Sequence, residues 1–458
     1  MTTHRRCWAV VLGVLLLVGA GCTKRTGAGA KTGGASAGEG AAQAAGPGAA
    51  PMGEQYGISD ALTSGEASNR PKMNQNALQA YLAGVQAFRA GDLSGARTQF
   101  LAATQADANA YQAFYSLGVV RERLGERAGA QTAYRKAMNI VKDYEPAIVA
   151  LGVLLARTGR VGEAESLLRD YQAKMPKSAA VVAALAEVKS LQGDSAEAQR
   201  LAQEALKRNP DYRPAMVTLA RDHYRNRRLD LALYALKGIL DGYGDDNPPR
   251  DKDNAEAHLL RGLIYKEQGY KQGAIESLEK AVQLRPDLVE ARIQLATYLL
   301  ESGNAQGAAP LLEGALQYDS DNVLAHLNLG DAYRLLGKTA EAKRELEWVL
   351  AKDPSVAQAD YNLGLLYLFS EQVPGVSKEK APDLAIAALE AYKKKAPRTQ
   401  GTVPDDTDEL ITRAKTKKAM LEAESAASAP PPATAPEAAP PAPAEGSGSS
   451  TGSLPPAE

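Results

Sequence analysis

The chain has 458 residues, with 53 basic against 54 acidic side chains and a net charge of −1. That balance excludes the basic surface of a nucleic-acid binder. Its two cysteines, Cys7 and Cys22, and four histidines, His4, His223, His258 and His326, exclude a disulfide framework and offer no metal-ligand spacing.

The first element is "MTTHRRCWAVVLGVLLLVGAGC" (1–22). Arg5 and Arg6 precede an apolar run from Trp8 to Val18, and Gly19-Ala20-Gly21 follow it. A membrane span needs roughly 20 apolar residues, and this run falls short. A basic start, a short apolar middle and a small-residue exit mark residues 1–21 as a secretory signal peptide. The Gly-Ala-Gly-Cys end resembles the lipobox of bacterial lipoproteins, which implies that Cys22 carries a diacylglyceryl group and begins the mature chain. One departure is Gly19, where that pattern usually has Leu. The alternative is ordinary cleavage, which leaves Cys22 a free exported thiol. Residues 22–76 are rich in Gly and Ala and read as a flexible tether with a span of about 40 Å.

From Ala77 the sequence repeats. Small residues before each first turn give unit starts at 77, 111, 145, 179, 213, 255, 289, 323 and 357, each 34 apart except the step from 213 to 255. Position 8 of the unit is Gly or Ala throughout, and position 20 is always Ala, from Ala96 to Ala385. Position 15 is Gly in seven units, while Arg227 replaces it in the fifth. Position 32 is proline at Pro176, Pro210, Pro286, Pro354 and Pro397. Small residues let two helices approach, Gly closes the first helix in a left-handed conformation, and Pro stops the second.

This pattern resembles the tetratricopeptide repeat, a helix–turn–helix unit of 34 residues. The expected fold is therefore all-α: a superhelical solenoid of nine units with a C-terminal capping helix, flanked by disordered ends. Units one to five take 77–244 and units six to nine 255–400. An inserted loop (245–254, within "DGYGDDNPPRDKDN" at 241–254) divides the array into two stacks. A second insertion interrupts unit nine at 370–383. Residues 401–424 read as the cap, with Asp406 and Glu409 in capping-box spacing. Residues 425–458 form a Pro/Ala-rich disordered tail.

Resemblance to this family further implies that the first helices line a concave surface, with unit positions 2, 5, 6, 9, 12 and 13 facing inward. Position 6 holds Gln294, Asn328 and Asn362, like the asparagine ladder by which some members grip a peptide backbone; local capping is the other reading. Position 13 holds Arg89, Arg123, Arg157 and Arg225. These either face an acidic segment or complement helix dipoles.

No phosphate loop, dinucleotide fingerprint or nucleophile elbow stands in the chain. The expectation is a protein that is not an enzyme, with no cofactor, no metal, no small-molecule substrate and no nucleic-acid partner. Export signal, tether and nine units together resemble the tetratricopeptide lipoprotein of the adventurous gliding-motility apparatus of myxobacteria. That resemblance implies an outer-membrane, periplasm-facing scaffold, held by its lipid anchor and bound to proteins of an envelope-spanning complex. The alternative is a pilotin-like assembly factor for a secretin, a type IV pilus or outer-membrane protein insertion.

Overall fold

The computed structural model describes residues 70–396 and 406–428, and among these it is entirely helical apart from two isolated bridges in turns. The signal peptide with Cys22, the tether as far as residue 69, Pro397 and the tail beyond Ser428 lie outside the described residues, whereas the last tether residues, 70–76, and the first tail residues, 425–428, are described, the latter within α19.

Nine helix pairs follow one another. They are α1 (Gln75–Arg89) with α2 (Leu93–Ala106), α3 (Tyr111–Arg123) with α4 (Arg127–Ile140), and α5 (Glu145–Arg157) with α6 (Val161–Lys174). Next come α7 (Ala179–Gln192) with α8 (Ser195–Arg208), α9 (Arg213–Arg225) with α10 (Leu229–Leu240), and α11 (Ala255–Glu267) with α12 (Lys271–Leu284). The last pairs are α13 (Val289–Glu301) with α14 (Ala305–Tyr318), α15 (Val323–Leu335) with α16 (Thr339–Lys352), and α17 (Ala357–Phe369) with α18 (Ala381–Lys395); α19 (Thr407–Ser428) follows. Helix α1 starts two residues ahead of the expected Ala77, because Asn74 caps it: its Oδ1 accepts from Ala77 N at 2.9 Å.

In six of the nine pairs one glycine packs against one large side chain. A Cβ added to Gly84, Gly118, Gly152, Gly262, Gly330 or Gly364 would lie 2.4–2.8 Å from the side chain sixteen positions on, or twenty-five in the interrupted ninth unit. Those partners, Phe100, Tyr134, Leu168, Leu278, Leu346 and Leu389, are buried, and each contributes about 1.5–3 kcal/mol of apolar transfer. The nine alanines of position 20 are all buried beside them. The seven position-15 glycines all have φ between 72° and 83°. Arg227 adopts the same left-handed conformation, φ 59°, without being glycine.

Successive first helices pack directly on one another (α5 on α7, α7 on α9, α13 on α15, α15 on α17), so they form the inner side of the curve. The insertion at 241–254 is tied to the helices on both sides of it. Its backbone folds back on α10, with Asp251 N donating to Ile239 O at 2.8 Å, and Asn254 then caps α11. One apolar cluster, including Leu236, Ile239, Leu260 and Ile264, bridges the junction. Of the second insertion, residues 381–383 belong to α18, and Val373 is buried as its anchor. At the end, Leu410, Ile411 and Ala414 of α19 bury against the last units.

The curve also meets itself. Arg123, at the end of α3, pairs with Asp287, in the turn before α13. Nearby, Arg127 reaches Asp319 at 3.5 Å. Gly125 passes so close to Tyr318 that a Cβ would lie 2.1 Å from its carbonyl oxygen. Unit two thus touches unit seven across the turn of the solenoid.

Candidate functional site

The inner surface is built by α3, α5, α7, α9, α11 and α13. In its N-terminal part the floor is apolar, because Val149, Val153, Ala183, Ala184 and Val217 occupy inward positions of units three to five. They line a cavity of about 40 Å³, room for a few waters at most. Charged side chains wall it: Arg157, Glu187, Arg221 and Glu256.

These charges are paired with one another. Arg221 donates to Glu187 Oε1 at 2.7 Å and to Glu256 Oε2 at 2.9 Å. Arg157 lies 3.9 Å from Glu187 and 3.7 Å from Glu256. Thr218 Oγ1 donates to Glu187 at 3.1 Å. Arg285 lies 3.9 Å from Glu256 and also pairs with Asp287, which joins this network to Arg123. Burial alone would raise the Glu256 carboxyl, but Arg157, Arg221 and Arg285 pull it down to about 2. The same balance, burial outweighed by Arg221 and Arg157, lowers Glu187. Asp287 is held far below the carboxylate range, as Arg285 and Arg123 overcome its burial. Glu122 differs: burial pushes it up despite Arg157 and a hydrogen bond donated by Tyr134 at 2.8 Å.

The four arginines of position 13 therefore have different settings. Arg123 and Arg157 face carboxylates of the chain itself, and Arg225 donates to Ser190 Oγ at 2.7 Å. Arg89 is exposed in the last turn of α1. The structure brings Arg123 and Arg157 into one network and leaves Arg89 outside it. Glu187, Arg221 and Glu256 were not singled out from sequence, although they hold inward positions 9, 9 and 2 of units four to six. Writing out every inward position, rather than positions 6 and 13 alone, exposes them.

The amide row runs along units seven to nine. Gln294 Oε1 accepts from Lys266 Nζ at 3.0 Å, and Asn328 Nδ2 donates to Thr297 Oγ1 at 3.0 Å. Each contact reaches the preceding unit. Asn362 is buried, at 8% exposure. His326 stacks on Trp348 (3.7 Å between ring centroids) and bonds Glu345 at 2.6 Å. Among the described residues no group of three or more His, Cys, Asp or Glu is placed to hold a metal ion, and no helix is long and apolar enough to cross a membrane.

Models of the tetratricopeptide repeat match residues 149–170, 184–247, 255–288, 299–366 and 336–398. No curated protein matches the sequence. Among solved structures, a chain of the APC/C hetero-tetramer Cut9–Hcn1 is similar at 16% identity with a TM-score of 0.53. That match covers 74% of this chain and only 64% of the other, so less than two thirds of its length. YrrB, a tetratricopeptide protein with an unusual peptide-binding site, is 20% identical over 47% of this chain and 97% of its own, at TM-score 0.37. PilW, a type IV pilus biogenesis factor, is 21% identical over 48% and 99%, at 0.35. Only the first passes 0.5, and at such identities likeness speaks for the fold alone. The helical body of this chain is an array of tetratricopeptide repeats.

Proposed function

We propose that this protein is a non-enzymatic scaffold of the cell envelope, held to the outer membrane by a lipid on Cys22, facing the periplasm, and part of a gliding-motility machinery. The observation that carries the scaffold reading is the repeat array itself, a fold that typically holds protein partners rather than performing chemistry. Each amide of Gln294 and Asn328 spends one group on the preceding unit, and its other group, the Gln294 N–H2 and the Asn328 carbonyl oxygen, suits a grip on extended backbone. Support for the anchor comes from the N-terminal sequence: a basic start, a short apolar run, and small residues ending at Cys22. The gliding assignment rests on the resemblance of the whole arrangement, signal, tether and nine units.

Two experiments test it. Cys22→Ala should release the protein from outer-membrane fractions on flotation; a variant that still floats removes the anchor. Affinity purification from native envelopes should bring down subunits of a gliding complex. Recovery of a secretin ring or a peptidoglycan synthase instead replaces that assignment and leaves the scaffold standing.

A further inference from the structure

We infer that the array carries a latch: Arg123 on Asp287, with Arg127 on Asp319 beside it, closes units two to seven into one turn.

Three contacts make the latch, and they sit together. Arg123 binds Asp287 through two nitrogens, with Nε to Oδ2 at 3.1 Å. The side chains are 14% and 1% exposed, so water does not compete for the pair. Arg123 also lies over the ring of Phe88, 5.0 Å from its centroid, which fixes the guanidinium from unit one. Arg127 with Asp319 and Gly125 against Tyr318 extend the seam. The partners are separated by 164 residues in sequence, so the contact restrains the curvature of everything between them.

Between the two sides of the seam, units four to six are held as one body: Arg221 of unit five joins Glu187 and Glu256, and Arg225 donates to Ser190. A bidentate pair fixes one relative placement of the two sides, so the closed turn is a single defined arrangement. The cavity beside Val149 and Val217 is lined by units three to six, the stretch of chain that the latch spans.

The test measures distance across the seam in the full chain, with Cys7 and Cys22 replaced by serine and spin labels on Ala128→Cys and Ser320→Cys. With Arg123 present, one short, narrow distance is expected. Arg123→Ser leaves Asp287 paired with Arg285, so folding is spared, and should move at least half of the population to longer distance. Asp287→Asn leaves Arg123 and Arg285 facing each other without the carboxylate between them and should move more. An unchanged distribution in Arg123→Ser, with an unchanged helical melt, overturns the latch. A shift that appears as a broad smear, with helix lost, means unfolding rather than opening and overturns the latch as well.

Discussion

Gly118 lies flat against the ring of Tyr134: a methyl group on it would sit 2.4 Å from Cε1 of that ring. The ring cannot yield, since Tyr134 is 1% exposed and its hydroxyl donates to Glu122. Gly118→Ala gains helix propensity of about 1 kcal/mol but overpacks the pair, so a net loss of about 1–2 kcal/mol is expected. Gly162, also helical, has nothing within 4 Å of an added Cβ. Gly162→Ala should therefore stabilise by up to about 1 kcal/mol. Urea midpoints of the two variants moving in opposite directions check the packing; a shared direction contradicts it.

Arg227 offers the converse case. A left-handed non-glycine residue costs roughly 1–2 kcal/mol, and its pair with Glu267 is mostly exposed, hence worth little. Arg227→Gly removes the strain and loses that pair and some unfolded-state entropy, for a net gain of up to about 1 kcal/mol. Arg227→Ala keeps the strain and loses the pair. The order of melting temperatures should be Gly above Arg above Ala, and an Ala variant at least as stable as the Gly one would refute it.

How much of this was legible in the sequence differs by distance along the chain. Gly118 and Tyr134 belong to one unit, and a 34-residue period announces such pairs nine times over, so the helices and their small contact residues could be read directly. Arg123 and Asp287 meet only because small rotations between successive repeats accumulate until the curve returns on itself. No pattern at either residue records that sum. The bridging of the 241–254 loop was hidden for a related reason: the count of inserted residues says nothing of where Asp251 returns to α10. Position 13 offers Arg157 either to an acidic ligand or to its helix dipole, yet it lies beside Glu187 and Glu256, carboxylates of the protein's own units four and six.

The inner network sets a pH dependence. Glu256 titrates at about 2 in the fold against an ordinary 4.5. A lowered folded value means stabilisation that is fully present above the unfolded pKa and lost as pH falls through the folded one. For Glu256 that is about 3 kcal/mol, disappearing between about pH 5 and pH 2. Glu187 and Asp287 shift in the same sense and add to the loss, while Glu122, raised by burial, opposes it. Glu256→Gln should flatten the acid limb of urea midpoint against pH, at a cost of about 3–5 kcal/mol at neutral pH from the unpaired arginines. An acid limb identical to the parent chain would exclude Glu256 as its source.

Asn328 separates grip from stitching. Its Nδ2 donates to Thr297 Oγ1 on the preceding unit, which leaves the carbonyl oxygen of the same amide for a bound backbone N–H. Asn328→Ala removes both, and Thr297→Ala removes only the contact between units. Each should cost about 1 kcal/mol in stability, the net worth of one hydrogen bond. If the amide row holds a partner, Asn328→Ala should weaken partner capture about tenfold, Thr297→Ala should leave it within about twofold, and the double change should match Asn328→Ala. Equal losses from the two single variants would mean that Asn328 only fastens unit eight to unit seven, and the ladder would then have no part in binding.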